Sequence, residues 1–218
     1  MRKYKKGIET EQKIIDAARA FFRENGYNKT SVTEICESIG IMTGNASYYF
    51  PHKSDLGIRI FRDFMLEVLD YVENEFPTEN TYFKYTLDLY ICMLVELADS
   101  ECCRFVKEVF ERGFFTEYAT TFAGRFTPEY NMGSEKKFTE QQMRKTIVAN
   151  NAVYSSLVID LIKESGGMPS RDEIIRTAWI TTGIIGRIFG GDIDENHKVA
   201  NRALEIVKRT DLSRFHFL

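Results

Sequence analysis

Between Ser31 and Pro51 the chain is punctuated too closely for anything but two very short helices, and this interval limits its fold more than any other. Ser31, Val32, Thr33 and Glu34 form a capping box, in which the serine hydroxyl and the glutamate carboxylate satisfy free amides at a helix start. The helix they open has an inward face of Val32, Ile35, Cys36 and Ile39, and Gly40 ends it where a left-handed backbone is needed. A second brief helix runs from Thr43 to Phe50 and closes at Pro51. Two short helices joined by a glycine-containing turn make a helix-turn-helix.

The flanking segments are helical too. From Thr10 to Asn25 the residues Ile14, Ile15, Ala17, Ala18, Phe21 and Phe22 recur at helical spacing, with Gly26 as the stop. Ser54 and Asp55 open a long connecting helix whose stripe is Leu56, Ile60, Phe64, Val68 and Val72, ending near Pro77. Further helices are expected over 80–98, 101–123, Thr139 to Ser165, Ser170 to Phe189 and Asp194 to Lys208. With only 4 prolines in 218 residues, 44% apolar content and no convincing strand, the expectation is an all-α protein.

The same sequence argues against several classes of function. No run of about eighteen apolar residues occurs, and the first residues lead into Glu9 and Glu11 rather than an apolar segment, so a cytoplasmic protein without membrane association is expected. There is no phosphate-cradling glycine loop, no H-E-x-x-H and no nucleophile elbow, and His52, His197 and His216 stand in unrelated contexts. Neither an enzyme nor a metal or other cofactor is expected. Cys36, Cys92, Cys102 and Cys103 read as reduced thiols filling the core, with a redox- or electrophile-sensing pair at Cys102 and Cys103 as the alternative. The net charge of −3 hides an asymmetry: residues 1–60 hold ten Lys or Arg against seven Asp or Glu, and the rest is acidic. A basic end on an acidic body suits a protein that presents one end to phosphates.

The run from Glu11 through Phe61, about a quarter of the chain, resembles the DNA-binding domain of the tetracycline-repressor (TetR) family of bacterial regulators. The resemblance rests on Ile14, Ala17, Ala18, Phe22, Gly26, Tyr27, Thr30, Ser31, Val32, Ile35, Gly40, Ile41, Gly44, Tyr48, Phe50, Lys53 and Leu56, in the family's order and spacing. Met42, Ser47 and Tyr49 depart from the pattern, which leaves the operator sequence open. The resemblance implies a three-helix DNA-binding domain with a helix-turn-helix over 1–54 and a larger helical domain for ligand sensing and dimerisation over 55–218. It also implies a dimeric repressor of a palindromic double-stranded DNA operator, released by a small apolar or aromatic effector. The rival expectation is a helical protein-interaction module that does not bind DNA.

In a helix-turn-helix the second helix enters the major groove. Asn45 can pair with adenine, Thr43 and Ser47 with several bases, and the Ala46 methyl can meet a thymine methyl. Thr30, Tyr48 and Lys53 match family positions that hold phosphates. Arg2, Lys3, Lys5 and Lys6 are read either as an arm adding DNA contacts or as a solubilising tail. The aromatic stretch after residue 80 suggests a pocket of Tyr90, Phe105, Phe110, Phe114, Tyr118 and Phe122 with Tyr154 and Trp179. Glu96, Glu108 and Arg112 either line it or face solvent. As the resemblance places dimer contacts on the last two long helices, the candidate stripes are Ile147, Tyr154, Val158 and Leu161 on one and Ile174, Ala178, Ile185 and Phe189 on the other. The alternative is that these stripes pack only within the subunit. Occupancy is expected to tilt the connecting helix, Ser54 to Glu75, and so change the spacing of the recognition helices.

Overall fold

In the computed structural model, residues 2–113, 139–188 and 192–218 are described. They form nine α-helices: α1 (Arg2–Asn25), α2 (Val32–Ser38), α3 (Thr43–Tyr49), α4 (Lys53–Glu75), α5 (Thr81–Glu96), α6 (Ser100–Glu111), α7 (Glu140–Glu164), α8 (Arg171–Ile188) and α9 (Ile193–Val207). A single 3-10 turn, Leu212–Arg214, follows. No strand occurs among the described residues, and no described helix is long and apolar enough to cross a membrane.

The helix starts obey the capping chemistry of their sequences. Ser31 accepts from the Glu34 amide while Glu34 accepts from the Ser31 amide at 2.8 Å. Thr139 and Gln142 reciprocate in the same way at α7, and Asn80, Asp99 and Asp192 cap α5, α6 and α9. Two boundaries differ from the sequence expectation. The first helix starts at Arg2, not near Thr10, so the basic N-terminal residues extend α1 rather than forming an arm or tail. The helix expected over 101–123 stops at Glu111, because Gly113 turns the chain with φ +76°.

α1, α2, α3 and the start of α4 enclose one core of Ile14, Ile15, Ala18, Phe22, Ile35 and Leu56, all fully buried. α4 runs on into the body, so the expected division at 54/55 falls within its first turn. Its stripe of Leu56, Ile60, Phe64, Val68 and Val72 is buried throughout. In the body α5 is the central helix, packed by α4, α8 and α9, while α7 lies against α6 and α8. Gly186 of α8 makes this packing possible, since a Cβ there would collide with the Asn196 side chain and the Tyr82 hydroxyl.

The apolar stripes expected at a dimer interface are part of this core. Ile147, Val158, Leu161, Ile174, Ala178 and Ile185 are buried within the subunit, and Tyr154 hydrogen-bonds inward to Glu96. Phe189 lies outside the described residues. The large apolar side chains left exposed on these helices are instead Val148, Ile180 and Ile184. Both stripes serve intramolecular packing because α7 and α8 must cover α5 and α6 before either can face another molecule.

Candidate nucleic-acid interface

α3 is held by its back and open at its front. Ala46 is fully buried against α1 and α2, and Phe50 closes the end of the helix. Asn45, Ser47 and Tyr48 are exposed, Tyr48 to 84%, with Met42 beside them. Thr43 is half-buried, and the Ser47 hydroxyl donates to its carbonyl at 3.1 Å. The Tyr48 ring meets Tyr49 edge to face at 5.2 Å, so Tyr49 supports a ring that stands in solvent. Hydroxyl, amide and phenol groups on one uncharged helical face can read base edges and touch phosphates.

Three of the sequence candidates have other work. Ala46 cannot reach a thymine methyl, because it faces the core. Thr30 is 3% exposed and its hydroxyl donates to the Gly26 carbonyl at 2.8 Å, which makes it a stop for α1 rather than a phosphate ligand. Lys53 donates to the Tyr27 and Thr30 carbonyls at 2.9 and 2.8 Å and lies over the Tyr27 ring at 4.4 Å. Desolvation, with Arg112 nearby, lowers its pKa. Two of its three N–H donors thus fix the start of α4 to the turn before α2.

That turn is also gripped from the body, a feature the sequence did not reveal. Arg23 pairs with Asp99, the N-cap of α6, at 2.6 Å. Arg104 donates to the Arg23 and Glu24 carbonyls at 2.6 and 3.1 Å, at the end of α1. Glu108 accepts from the Asn28 amide at 2.8 Å, and Arg112 donates to the Asn28 side chain at 2.8 Å. Behind these polar contacts Phe105 stacks on Phe22 and Phe61 at 5.4 and 5.6 Å. Phe217 packs on Phe61 and Phe64, and Arg19 donates to the carbonyls of His216 and Phe217. Sequence reading recognised the aromatic rings and the charges of α6, but pairing across 80 residues leaves no local pattern.

The expected aromatic pocket is accordingly dispersed. Phe105 belongs to the seam between α1 and α6, and Phe110 bridges Phe61 to Tyr154. Tyr90 is fully buried, about 200° around α5 from Asp88. Phe114, Tyr118 and Phe122 lie outside the described residues. Trp179 is half-buried elsewhere, stacked on His197 at 4.4 Å in a pocket of about 330 Å³ between α8 and α9. Among the described members of that set, Phe110 meets Tyr154 edge to face at 5.9 Å.

Tyr154 instead belongs to a set of polar contacts between α5 and α7. Its hydroxyl donates to Glu96 at 2.7 Å, and the Tyr85 hydroxyl meets the Asn150 side-chain oxygen at 3.1 Å. α7 packs chiefly on α6 and α8, and these side-chain bonds tie it to α5 as well. Asp88, Cys92 and Glu96 follow Tyr85 on the same face of α5. Burial holds the Asp88 carboxyl up to about 7 and the Glu96 carboxyl up to about 8, and it pushes the Cys92 thiol well up. Asp88 was not among the sequence candidates, although its spacing of four and eight residues from Cys92 and Glu96 was visible. Cys102 and Cys103 are buried thiols raised to about 12 and 11, so the reactive thiolate is disfavoured and both act as small core residues. No three His, Cys, Asp or Glu side chains among the described residues are grouped to hold a metal.

Comparison with known proteins agrees with this architecture. Residues 14–60 match the model of the bacterial regulatory proteins of the tetR family. A segment of 68 residues is 32% identical to the fatty acid metabolism regulator protein of Bacillus subtilis (strain 168), and covers 31% of this chain and 35% of that protein. The chain therefore aligns with about a third of the length of that curated relative. The fold is shared with RolR crystallised with resorcinol, at 20% identity and TM-score 0.64 over 91% of this chain and 96% of that one. It is also shared with the fatty acid degradation regulator FadR of Bacillus halodurans, at 18% identity and TM-score 0.52 over 79% of this chain and 94% of that one. Residues 14–60 are thus a helix-turn-helix domain of the tetR family type, and the all-α fold behind it is the one shared with RolR and FadR.

Proposed function

We propose that the protein is a ligand-responsive transcriptional repressor that binds a palindromic DNA operator as a homodimer and releases it when a small-molecule effector occupies the body. The observation that carries this reading is the exposed polar face of α3, Asn45, Ser47 and Tyr48, on a helix whose other side is locked into a core. Asn45 and Ser47 are assigned to bases and Tyr48 to the backbone; Lys53 positions the domain and has one donor left for a phosphate. RolR was crystallised with the small aromatic resorcinol, which supports an effector of low molecular weight here.

Two recognition helices must lie about 34 to 36 Å apart to engage successive turns of DNA, which requires a dimer. The exposed Val148, Ile180 and Ile184 are the proposed contact, in place of the stripes buried in the subunit. The effector signal would run from the polar contacts between α5 and α7 through the Leu97 to Asp99 corner into α6, which grips the α1–α2 turn. A ligand changes the operator affinity only if it binds the two arrangements unequally.

The test is selection of random-sequence duplexes by the purified protein at a stated salt concentration, followed by sequencing. A palindrome with half-sites one helical turn apart, lost in Asn45→Ala and Tyr48→Ala, supports the regulator. No enrichment by folded protein, free of bound small molecules, overturns it.

A further inference from the structure

α3 begins in a way that its own stability does not favour. Met42 stands just before the helix, where a serine, threonine, aspartate or asparagine would accept from a free amide, and its side chain makes no such bond. Ser31, Asn80, Asp99, Thr139 and Asp192 all supply that bond to their helices. Nor does Met42 pack. It is 75% exposed, and among the large apolar side chains of the described residues only Tyr48, on α3 itself, is more so. A methionine that neither caps nor packs breaks a local rule without a gain inside the subunit, and such breaks concentrate where function sets the residue.

A second observation lies two residues on. Gly44 is exposed within α3, and a Cβ there would meet nothing within 4 Å. Its backbone is not left-handed either, so neither crowding nor conformation in the subunit calls for glycine. Glycine inside a helix lowers stability relative to alanine, and the use left to it is to let another surface approach the backbone. Met42 and Asn45 stand three residues apart, hence as neighbours on one helical face. Thr43 is half-buried and Ala46 faces the core, so Met42 supplies the aliphatic group at the leading end of that face.

Resting on the reading of α3 as the recognition helix, we infer that Met42 is a specificity-determining residue whose side chain covers the C5-methyl of a thymine in the major groove, at the base pair next to the one Asn45 engages. The leading residues of a recognition helix are those that face base edges. The thymine methyl is the apolar mark of that groove, and apolar side chains read it. Methionine, unbranched and polarisable, moulds itself to such a surface. Three residues of helix rise about 4.5 Å, close to the roughly 3.4 Å between stacked base pairs, which puts the two contacts on adjoining pairs. Gly44 lets the backbone between them approach the groove. The methyl contact that the buried Ala46 cannot make thus falls to Met42.

The experiment takes the duplex selected by the wild-type protein and replaces its thymines one position at a time, in both half-sites, by uracil, which removes the methyl and keeps the base-pairing edge. Binding is measured at one salt concentration. The wild-type protein is expected to lose about fourfold per half-site, the worth of burying one carbon, at the thymine adjoining the base pair whose preference Asn45→Ala relaxes. Met42→Ser brings a capping hydroxyl, so it should unfold at the same or a higher temperature while binding the thymine and uracil duplexes equally at that position. An operator whose thymine there tolerates uracil, or a Met42→Ser variant that keeps the wild-type uracil penalty, overturns the inference and leaves the regulator standing. Selection of no duplex at all overturns the regulator and this assignment with it.

Discussion

A carboxyl in an unfolded chain loses its proton near pH 4, whereas Asp88 keeps it to about 7 and Glu96 to about 8. The cause in both is desolvation, with the Tyr154 hydroxyl easing it for Glu96. The folded protein therefore binds more protons than the unfolded chain across this window. Stability should fall as pH rises, by up to about 1.4 kcal/mol per pH unit for each proton retained. Below about pH 4 both states are protonated and the contribution is whole; above about 8 the decline ends. Glu96→Gln and Asp88→Asn should flatten the fall, read as urea midpoints at pH 5, 6, 7 and 8. Wild-type and variant curves of equal slope would contradict the burial of these groups.

Among the elements, α6 is the one that ties the end of α1 and the turn after it to the rest of the molecule. Its N-cap holds Arg23, its middle presents Phe105, and its far end reaches Asn28 through Glu108 and Arg112. Gly26 lies in its path, with φ +84° and the Arg104 and Glu108 side chains 3.0 Å from where a Cβ would stand. Gly26→Ala should cost at least about 1 to 2 kcal/mol for the left-handed backbone, and should loosen α6 as well. Thermal unfolding measures the first effect, and hydrogen exchange at Asn28 measures the second. The cap at Ser31 was legible in the sequence because capping acts over three residues, and so was the buried stripe of α4, which repeats every turn. Ala46 and Thr30 were misassigned because position in a motif does not tell which way a small side chain turns. The end of α6 was missed although Gly113 marks it.

At the level of the whole molecule, the proposed dimer turns on which apolar face is free. Apolar periodicity cannot separate a helix face that covers its own core from one that covers a neighbour's, which is why Ile147 and Ile185 were read as interface and proved to be interior. Exposure separates them. Ile180 is 45% and Ile184 37% exposed, one turn apart on α8. Ile180→Glu with Ile184→Glu should leave the fold intact and convert a dimer to a monomer, as measured by light scattering after size exclusion, and should lower operator affinity with it. Monomeric wild-type protein at micromolar concentration would sink the dimer.

The pocket beside these isoleucines holds Trp179 against His197, and the chain has one tryptophan. All indole emission thus originates at this single seam, next to the proposed contact. Intrinsic fluorescence becomes an unlabelled gauge of association: dilution that parts two copies wets the ring and reddens its emission.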